Sequence, residues 1–384
     1  MDVERSLQAT PFTIDIPDAA IADLRRRLAD TRWPDSVPGR GWSDGGDLDY
    51  LADICRYWQD GFDWRAAEAK LNALPQFKAR IDDLDIHFVH VRGKGPNPRP
   101  LLLAHGWPSA FCEFADLIPM LTDPAAHGGD PACSFDVIAP SMPGYGFSSA
   151  PRSGGMNSSA VAALWVRLMR DVLGYSRFFA HGGDIGAHVV NALGRHHTAH
   201  VAAIHTMAAP TPADTPDLSP AEAEWLDYVK DWERDEGGYW HLQRTKPQSA
   251  AVGLNDSPAG LAAWVLEKWR SWSECGGDLD TILSRDTLLT LVSVYWFTGT
   301  IGSSMRMYFE NATTRSPSNV GIDIPARLFL TLEKVDLCPS EYARRSFNDL
   351  SYGVTARGGH FLAAEEPRLL VDDIHRFLAP LPLD

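Results

Sequence analysis

Residues 181–186 read His-Gly-Gly-Asp-Ile-Gly, so that Asp184 has a glycine two positions away on each side. Residues 177–180 before it predict a short buried strand, and residues 187–193 after it predict a helix that ends at Gly194. Glycine is required where a strand and a helix pass too closely for side chains, and the central residue of such a turn has a strained backbone. The pattern predicts a nucleophile elbow, with an aspartate at the position that serine or cysteine often occupies.

A carboxylate nucleophile restricts the chemistry. An unperturbed aspartate has a pKa of about 3.9, so Asp184 is ionised at neutral pH without a neighbouring base. It can attack an electrophilic carbon directly and form an ester, which activated water then hydrolyses. Epoxides and alkyl halides both suit this route. An epoxide oxygen leaves as an alkoxide and needs donors, whereas a halide needs only stabilisation of the anion.

The base and the acid are expected late in the chain, in the order nucleophile, acid, histidine. His360 follows Gly358-Gly359 between the last predicted strand and the last predicted helix, where this base belongs. Two carboxylates precede it, and Asp336 is favoured as the acid because it stands in an Asp-x-x-Pro sequence. Glu333 is the alternative acid. Either carboxylate could instead have a structural role, pairing with Lys334 or Arg344.

Residues 105–108, His-Gly-Trp-Pro, follow a predicted central strand. We expect the backbone N–H groups of Trp107 and Ile185 to form an oxyanion hole beside the nucleophile. Trp107, Ile185 and His105 are therefore predicted to line the substrate pocket. His181, next to the elbow, is expected to fill space or to orient the turn.

Hydrophobic patterns place these residues on an α/β fold, a doubly wound and mostly parallel sheet. Residues 84–91 alternate as a half-buried antiparallel strand does, and residues 100–104 and 135–139 are continuous apolar runs typical of central parallel strands. Helices are predicted at 113–121, 160–173 and 367–378, and later strands at 327–331 and 350–354.

Four segments are predicted. Residues 1–80 contain amphipathic helices without strands to pack on, and should wrap the core, whose two parts are residues 81–212 and 319–384. Between them, residues 213–318 form a helical lid, or cap, inserted between the sixth and seventh strands. This lid is rich in tryptophan, and for any single one of these residues a place in the lid core is the simplest interpretation. Its tryptophans are Trp225, Trp232, Trp240, Trp264, Trp269, Trp272 and Trp296.

Composition excludes several classes of partner. With 35 basic and 50 acidic residues the net charge is −15, and no basic run is present, so neither nucleic acid nor an anionic membrane is expected. No apolar stretch approaches the roughly 20 residues of a membrane span. Residues 1–5 lack the apolar core of a signal peptide, and the five cysteines are scattered without a CxxC pair. We expect a cytoplasmic protein without a metal or a cofactor.

The chain resembles the epoxide hydrolases of the microsomal and juvenile-hormone type, members of the α/β-hydrolase superfamily that carry an extra N-terminal segment. The resemblance covers nearly the whole length, and its motifs together are far more specific than the elbow alone. We expect it to be without the N-terminal membrane anchor of the microsomal members and so to resemble the soluble bacterial or fungal type. The matching motifs are residues 12–14, 24–34, 105–108, 143–148, 238–243, 245–247, 254–261, 295–300, 305–311 and 357–361.

This resemblance implies that an epoxide reacts with water to give a vicinal diol. It also implies that two lid tyrosines, at Tyr239 and Tyr308, hold the epoxide oxygen and donate a proton as the ring opens. Two positions depart from the family pattern: Ile185 stands where many members have tryptophan, and the acid loop 332–336 lacks the common Phe-Pro start.

Two alternatives are left open. A haloalkane-type dehalogenase would use the same aspartate, and Trp107 could supply its halide donor, although Ile185 in place of tryptophan counts against it. A non-catalytic hydrolase-fold receptor for a small molecule would bind without turnover. The sequence does not decide between detoxification and natural-product biosynthesis, for example of enediynes, and it leaves the oligomeric state open, a homodimer included.

Overall fold

A computed structural model describes residues 8–212, 215–314 and 320–383. The expectation about the signal peptide at residues 1–5 and the predicted lid ends at 213 and 318 lie outside these ranges. Within them, no helix combines the length and the apolar character needed to cross a bilayer.

The described residues form a nine-stranded sheet, which confirms the predicted doubly wound architecture. Its order is β1-β2-β3-β5-β4-β6-β7-β8-β9; the first three pairings are antiparallel and the remaining five are parallel. The strands are β1 Ala9–Phe12, β2 Gln76–Ile81, β3 Leu84–Val91, β4 Arg99–Ala104, β5 Phe135–Pro140, β6 Phe178–Gly182, β7 Val201–Thr206, β8 Ala326–Leu330 and β9 Leu350–Val354.

The helices fall into three groups, in the N-terminal segment, in the core and in the lid. The N-terminal segment has α1 Asp18–Ala29, α2 Leu48–Asp60 and α3 Trp64–Asn72. The core has α4 Leu117–Thr122, α5 Ser158–Arg167 and α6 Asp184–His196, and after the lid α13 Ser340–Ala343, α14 Leu362–Glu365 and α15 Pro367–Leu378. The lid has α7 Pro220–Asp235, α8 Gly238–Thr245, α9 Pro247–Asp256, α10 Pro258–Trp272, α11 Arg285–Thr298 and α12 Ile301–Thr313.

Three expectations about the elements need correction. The N-terminal segment does supply a strand, because β1 pairs antiparallel with β2 at the edge of the sheet, where Pro11 costs no ladder hydrogen bond. Among the described residues seven strands precede the lid, so it lies between β7 and β8 and not between the sixth and seventh strands. The predicted helix at 113–121 is a 3-10 turn at Phe111–Phe114 followed by α4, since Pro119 is tolerated only in the first turn of a helix.

The N-terminal segment packs on the lid as well as on the core. The buried indole of Trp58 donates to Ser293 Oγ at 2.9 Å, and Trp64 contacts Phe297 with ring centroids 4.8 Å apart. Arg285 pairs with Asp53 at 2.7 Å. These contacts connect α2 and α3 to α11, so the segment holds the lid against the sheet.

The start of the lid is fixed to the second part of the core. Ser219 and Glu222 form a capping box at the beginning of α7, each bonding the other's backbone N–H. Glu222 is buried and also accepts from Arg345, with Nη2 to Oε2 at 2.9 Å. One carboxylate therefore both caps the first lid helix and anchors it to the loop after α13.

Candidate active site

Asp184 stands at the sharp turn between β6 and α6, as predicted. Its φ is +50°, in the left-handed region that favours glycine, so its backbone is strained. The flanking glycines are required by space: a Cβ on Gly186 would lie 2.0 Å from Ala104 O, and one on Gly182 would lie 2.5 Å from the carbonyl of Gly186. The turn thereby holds the Asp184 side chain at the carboxyl end of the parallel strands.

Two backbone N–H groups hold the Asp184 carboxylate. Trp107 N–H donates to Oδ1 at 2.8 Å, and the N–H of Ile185 also hydrogen-bonds this side chain. Burial by itself would raise the pKa of Asp184, but the attraction of the nearby His360, together with hydrogen bonds from Trp107 and Ile185, outweighs burial and lowers the pKa below its usual value. The carboxylate is thus ionised and oriented before any substrate binds.

His360 lies between two carboxylates. Its Nε2 is 3.3 Å from Asp184 Oδ2, and its Nδ1 is 3.3 Å from Asp336 Oδ2. Burial by itself would lower the pKa of His360, but the two carboxylates overcome burial and raise the pKa well above its usual value. In the ligand-free protein the imidazole is therefore held as a cation.

Glu333, the alternative acid, lines the same cavity, and burial together with the charge of Asp336 raises its pKa. The carboxylate next to His360 Nδ1 is Asp336. The basic residues proposed as structural partners point elsewhere: Lys334 lies over the Tyr228 ring, and Arg344 donates to Leu350 O.

The loop that carries His360 is held by contacts that the sequence did not reveal. His360 N–H donates to Trp272 O at 2.8 Å, and a Cβ on Gly359 would lie 2.5 Å from that same oxygen. The Glu365 carboxylate accepts from the N–H groups of Gly359 at 2.8 Å and Phe361 at 3.0 Å. Gly359 is therefore needed because the loop runs directly against the end of α10, and Gly358 is needed because its φ of +91° lies in the left-handed region.

Tyr239 on α8 and Tyr308 on α12 lie side by side above the nucleophile, with ring centroids 6.2 Å apart and nearly perpendicular planes. Trp107 stacks on Tyr239 at 5.7 Å and meets Tyr308 edge-on at 5.8 Å. Burial, with the nearby charge of Asp184, raises the pKa of both phenols well above the usual value. Within the described part of the chain, neither hydroxyl has a protein hydrogen-bond partner. Both are protonated donors available to a ligand.

These groups meet at a cavity of about 250 Å³, which we call the front cavity. Its wall is rich in aromatic and aliphatic side chains, with Asp184, Asp336 and His360 at one side. Of the seven lid tryptophans, Trp232, Trp240 and Trp272 line it, while Trp269 stacks on Phe361 at 3.7 Å in the interior. The other lining residues are Ile185, His188, Met207, Ala208, Glu233, Tyr239, Tyr308, Thr331, Glu333 and Val335.

The pocket prediction is corrected for two residues. Ile185 lines the front cavity, but His105 and Trp107 line a second, smaller cavity behind Asp184. His105 is buried and its Nε2 accepts from Met142 N–H at 3.2 Å, so it supports the loop after β5. His181 lines this small cavity too, with Nδ1 3.0 Å from His205 Nδ1, in a buried network that continues to Asp373.

No cluster of three or more histidine, cysteine or acidic side chains in the ranges that the structure describes could hold a metal ion. An ionised carboxylate, a histidine with an acidic partner and two protonated phenols converge on one mainly apolar cavity.

The chain is similar to known proteins over almost its entire length. Residues 9–114 match the family described as epoxide hydrolase N terminus, and residues 99–248 match the alpha/beta hydrolase fold. A Stigmatella aurantiaca protein named provisionally as an epoxide hydrolase is 42% identical over 95% of this chain and 83% of its own length. Epoxide hydrolase 1 of Sus scrofa is 37% identical, with coverages of 97% and 88%. The crystal structure of juvenile hormone epoxide hydrolase from the silkworm Bombyx mori superposes with a TM-score of 0.87 at 28% identity, covering 97% of this chain and 94% of that one.

Proposed function

The chain belongs to the epoxide hydrolases of the α/β-hydrolase fold, and we propose that it opens its substrate through a covalent ester on Asp184. Asp184 attacks one epoxide carbon, the carbon–oxygen bond breaks, and the departing oxygen takes a proton from Tyr239 or Tyr308. The observation that carries this proposal is the juxtaposition of an ionised carboxylate with two unpartnered, protonated phenols across one apolar cavity.

Hydrolysis of the ester needs a base, and alkylation itself supplies one. The high pKa of His360 depends on two carboxylates, and ester formation removes the charge of Asp184. The pKa of His360 then falls, and the neutral imidazole, oriented by Asp336, can take a proton from water. The resulting hydroxide attacks the ester carbonyl carbon.

The oxyanion of this second step forms on Oδ1. The N–H groups of Trp107 and Ile185, which already bond the free carboxylate, are the donors that stabilise it. Collapse of the intermediate releases the vicinal diol, restores the Asp184 carboxylate and leaves the proton on His360. We assign no role to Glu333 beyond lining the cavity.

The front cavity favours an apolar epoxide, aromatic ones included, because tryptophans and tyrosines form much of its wall. Ile185 makes the wall beside the nucleophile aliphatic at a position where many members of the family have tryptophan. The biosynthetic role, with enediyne assembly as an example, stays a prediction from resemblance. The detoxifying alternative, the cytoplasmic location and the homodimer also stay predictions.

Dehalogenation stays the rival activity and has weaker support. Trp107 Nε1 is buried and has no hydrogen-bond partner among the described residues, but Trp107 lines the smaller cavity and not the front cavity that would hold a haloalkane. The receptor alternative finds no support, since the relatives named above are enzymes by name.

The proposal is tested by acid-quenching the protein during turnover of styrene oxide and digesting it. The expected result is a peptide that contains Asp184 and carries the mass of the epoxide. Turnover to diol without any such adduct, at quench times shorter than one turnover, would contradict the ester route.

A further inference from the structure

A second, much smaller cavity reaches the catalytic groups, and neither lid tyrosine lines it. This small cavity, which we call the rear cavity, has a volume of about 20 Å³ and is lined by Asp184, His360, Ser109 and Glu113 among others. A cavity of this size holds one water molecule, given polar partners. His360 Nε2 is buried and, among the described residues, has no hydrogen-bond partner of suitable geometry. A water molecule in the rear cavity can therefore be its partner.

A larger cavity of about 360 Å³ lies beyond it, between the N-terminal segment, the lid and the loop after β4. We call this the outer cavity. Ser109 and Glu113 line both the rear and the outer cavity. These two side chains therefore form the partition between the catalytic histidine and a space large enough for several waters.

The proposed function creates a need for such a path. Once Asp184 is esterified, the alkyl group occupies the front cavity, yet one water must still reach the ester. His360 must also lose its proton before it can act as a base, because it begins the cycle as a cation. The alkyl group in the front cavity obstructs both the entry of this water and the exit of this proton on that side.

We propose that Ser109 and Glu113 form a rear passage through which the hydrolytic water enters and the His360 proton leaves, with Glu113 relaying that proton. This inference rests on the proposed function, since it concerns only the hydrolysis of its ester. Glu113 touches neither substrate nor the reacting bond and acts through His360.

The protons balance over the cycle. Ring opening leaves a tyrosinate and a protonated His360; His360 then passes its proton through Glu113 to the outer cavity, and the tyrosinate regains one from solvent. Neutral His360 next takes a proton from the entering water, and the hydroxide adds to the ester carbonyl carbon. The bond from that carbon to the alkyl-bearing oxygen then breaks, the departing alkoxide takes the proton of the added hydroxyl group, and the water oxygen stays in the Asp184 carboxylate as the diol leaves. The protein returns to its starting state, and epoxide plus water has become diol.

The environment of Glu113 suits a relay. Burial raises its pKa to about 7, although the Ser109 hydroxyl and the charge of His360 act in the opposite direction. A carboxyl group with this pKa can both accept and release a proton near neutral pH. The charged groups that share the rear cavity with it are His360 and Asp184, and Glu365 is a further nearby charge. Those around the outer cavity are Asp63, Lys70, Asp116 and Asp286.

The test separates the two chemical steps in single turnovers, with the ester measured by quenched-flow mass spectrometry. In Glu113→Gln we expect alkylation at the native rate and ester hydrolysis slower by about tenfold or more, with loss of the step near pH 7 in its pH profile. Glu113→Asp should restore part of the hydrolysis rate and displace that step. Asp116→Asn, which changes a carboxylate of the outer cavity only, is the matched control and should alter neither rate.

Native hydrolysis and an unchanged pH profile in Glu113→Gln would overturn the inference. If Glu113→Gln does not fold, the Glu113→Asp variant provides the test. A pH profile of hydrolysis whose step stays at the native pH in Glu113→Asp would also contradict the relay. These outcomes are distinct from a failure of the proposed function, in which the native chain itself would form no ester on Asp184.

Discussion

The backbone N–H of Trp107 donates a hydrogen bond of 2.8 Å to Oδ1 of Asp184. The donor proposed for the oxyanion therefore holds one carboxylate oxygen before the reaction starts. Oδ2, 3.3 Å from His360 Nε2, is left as the oxygen that attacks the epoxide. Because Oδ1 does not have to move between the two steps, ester formation and ester hydrolysis can share one set of donors.

Neutralising the nucleophile should change the titration of His360. In Asp184→Asn the imidazole keeps only Asp336 as a charged partner, so its pKa should fall from the raised native value. The measurement is the pH dependence of the His360 ring signals by NMR in both proteins. Native protein should keep the imidazolium to higher pH than the variant, and identical midpoints would refute the proposed coupling.

Replacing the base should stop the reaction halfway. In His360→Gln we expect alkylation to continue while hydrolysis slows by about 10³-fold, because no base activates water. Intact-mass spectrometry should then show the ester accumulating to one equivalent. His188→Gln changes another histidine of the same cavity and should accumulate none. A His360→Gln protein that turns over without accumulating ester would speak against the assigned base.

The acid can be identified by comparing two isosteric changes. Asp336→Asn removes the charge next to His360 Nδ1 and should slow hydrolysis by about 10³-fold or more. Glu333→Gln should leave the rate of hydrolysis near the native value, since the carboxylate at His360 Nδ1 is that of Asp336 and not that of Glu333. Rates of ester decay measure both, and the reverse order of effects would assign the acid to Glu333.

The phenols should act on ring opening. Tyr239→Phe and Tyr308→Phe should each slow alkylation by an epoxide by about 100-fold, because a donor to the leaving oxygen is lost. The control is Tyr228→Phe, which changes an exposed tyrosine of the same lid and should leave the rate of alkylation unchanged. Stopped-flow tryptophan fluorescence follows alkylation. If both variants retained native epoxide turnover and the chain released chloride from haloalkanes, dehalogenation would be the better assignment.

The local sequence was enough to identify Asp184 and His360, because each lies within a short motif of its own. The glycines around Asp184 and before His360 mark places where backbone approaches backbone, and such places leave a signature of a few adjacent residues. Tyr239 and Tyr308 have no such signature, and only the resemblance singled them out. Their convergence depends on how α8 and α12 pack.

The contacts missed from the sequence join segments that are distant along the chain. Glu113 lines the same small cavity as His360, Glu365 holds the loop that carries His360, and Trp272 supplies the carbonyl against which that loop rests. Such contacts between distant segments are not encoded in any periodicity. Strand β7 was missed for a different reason, because its two alanines give a weak strand signal.

The most direct test of the ester on Asp184 is one turnover of an epoxide in water enriched in heavy oxygen, with enzyme in excess. Attack by Asp184 predicts that the first diol carries only ordinary oxygen and that the heavy atom appears in the peptide containing Asp184. Heavy oxygen in the first diol, with none in that peptide, would mean that water attacks the epoxide directly and would contradict the account.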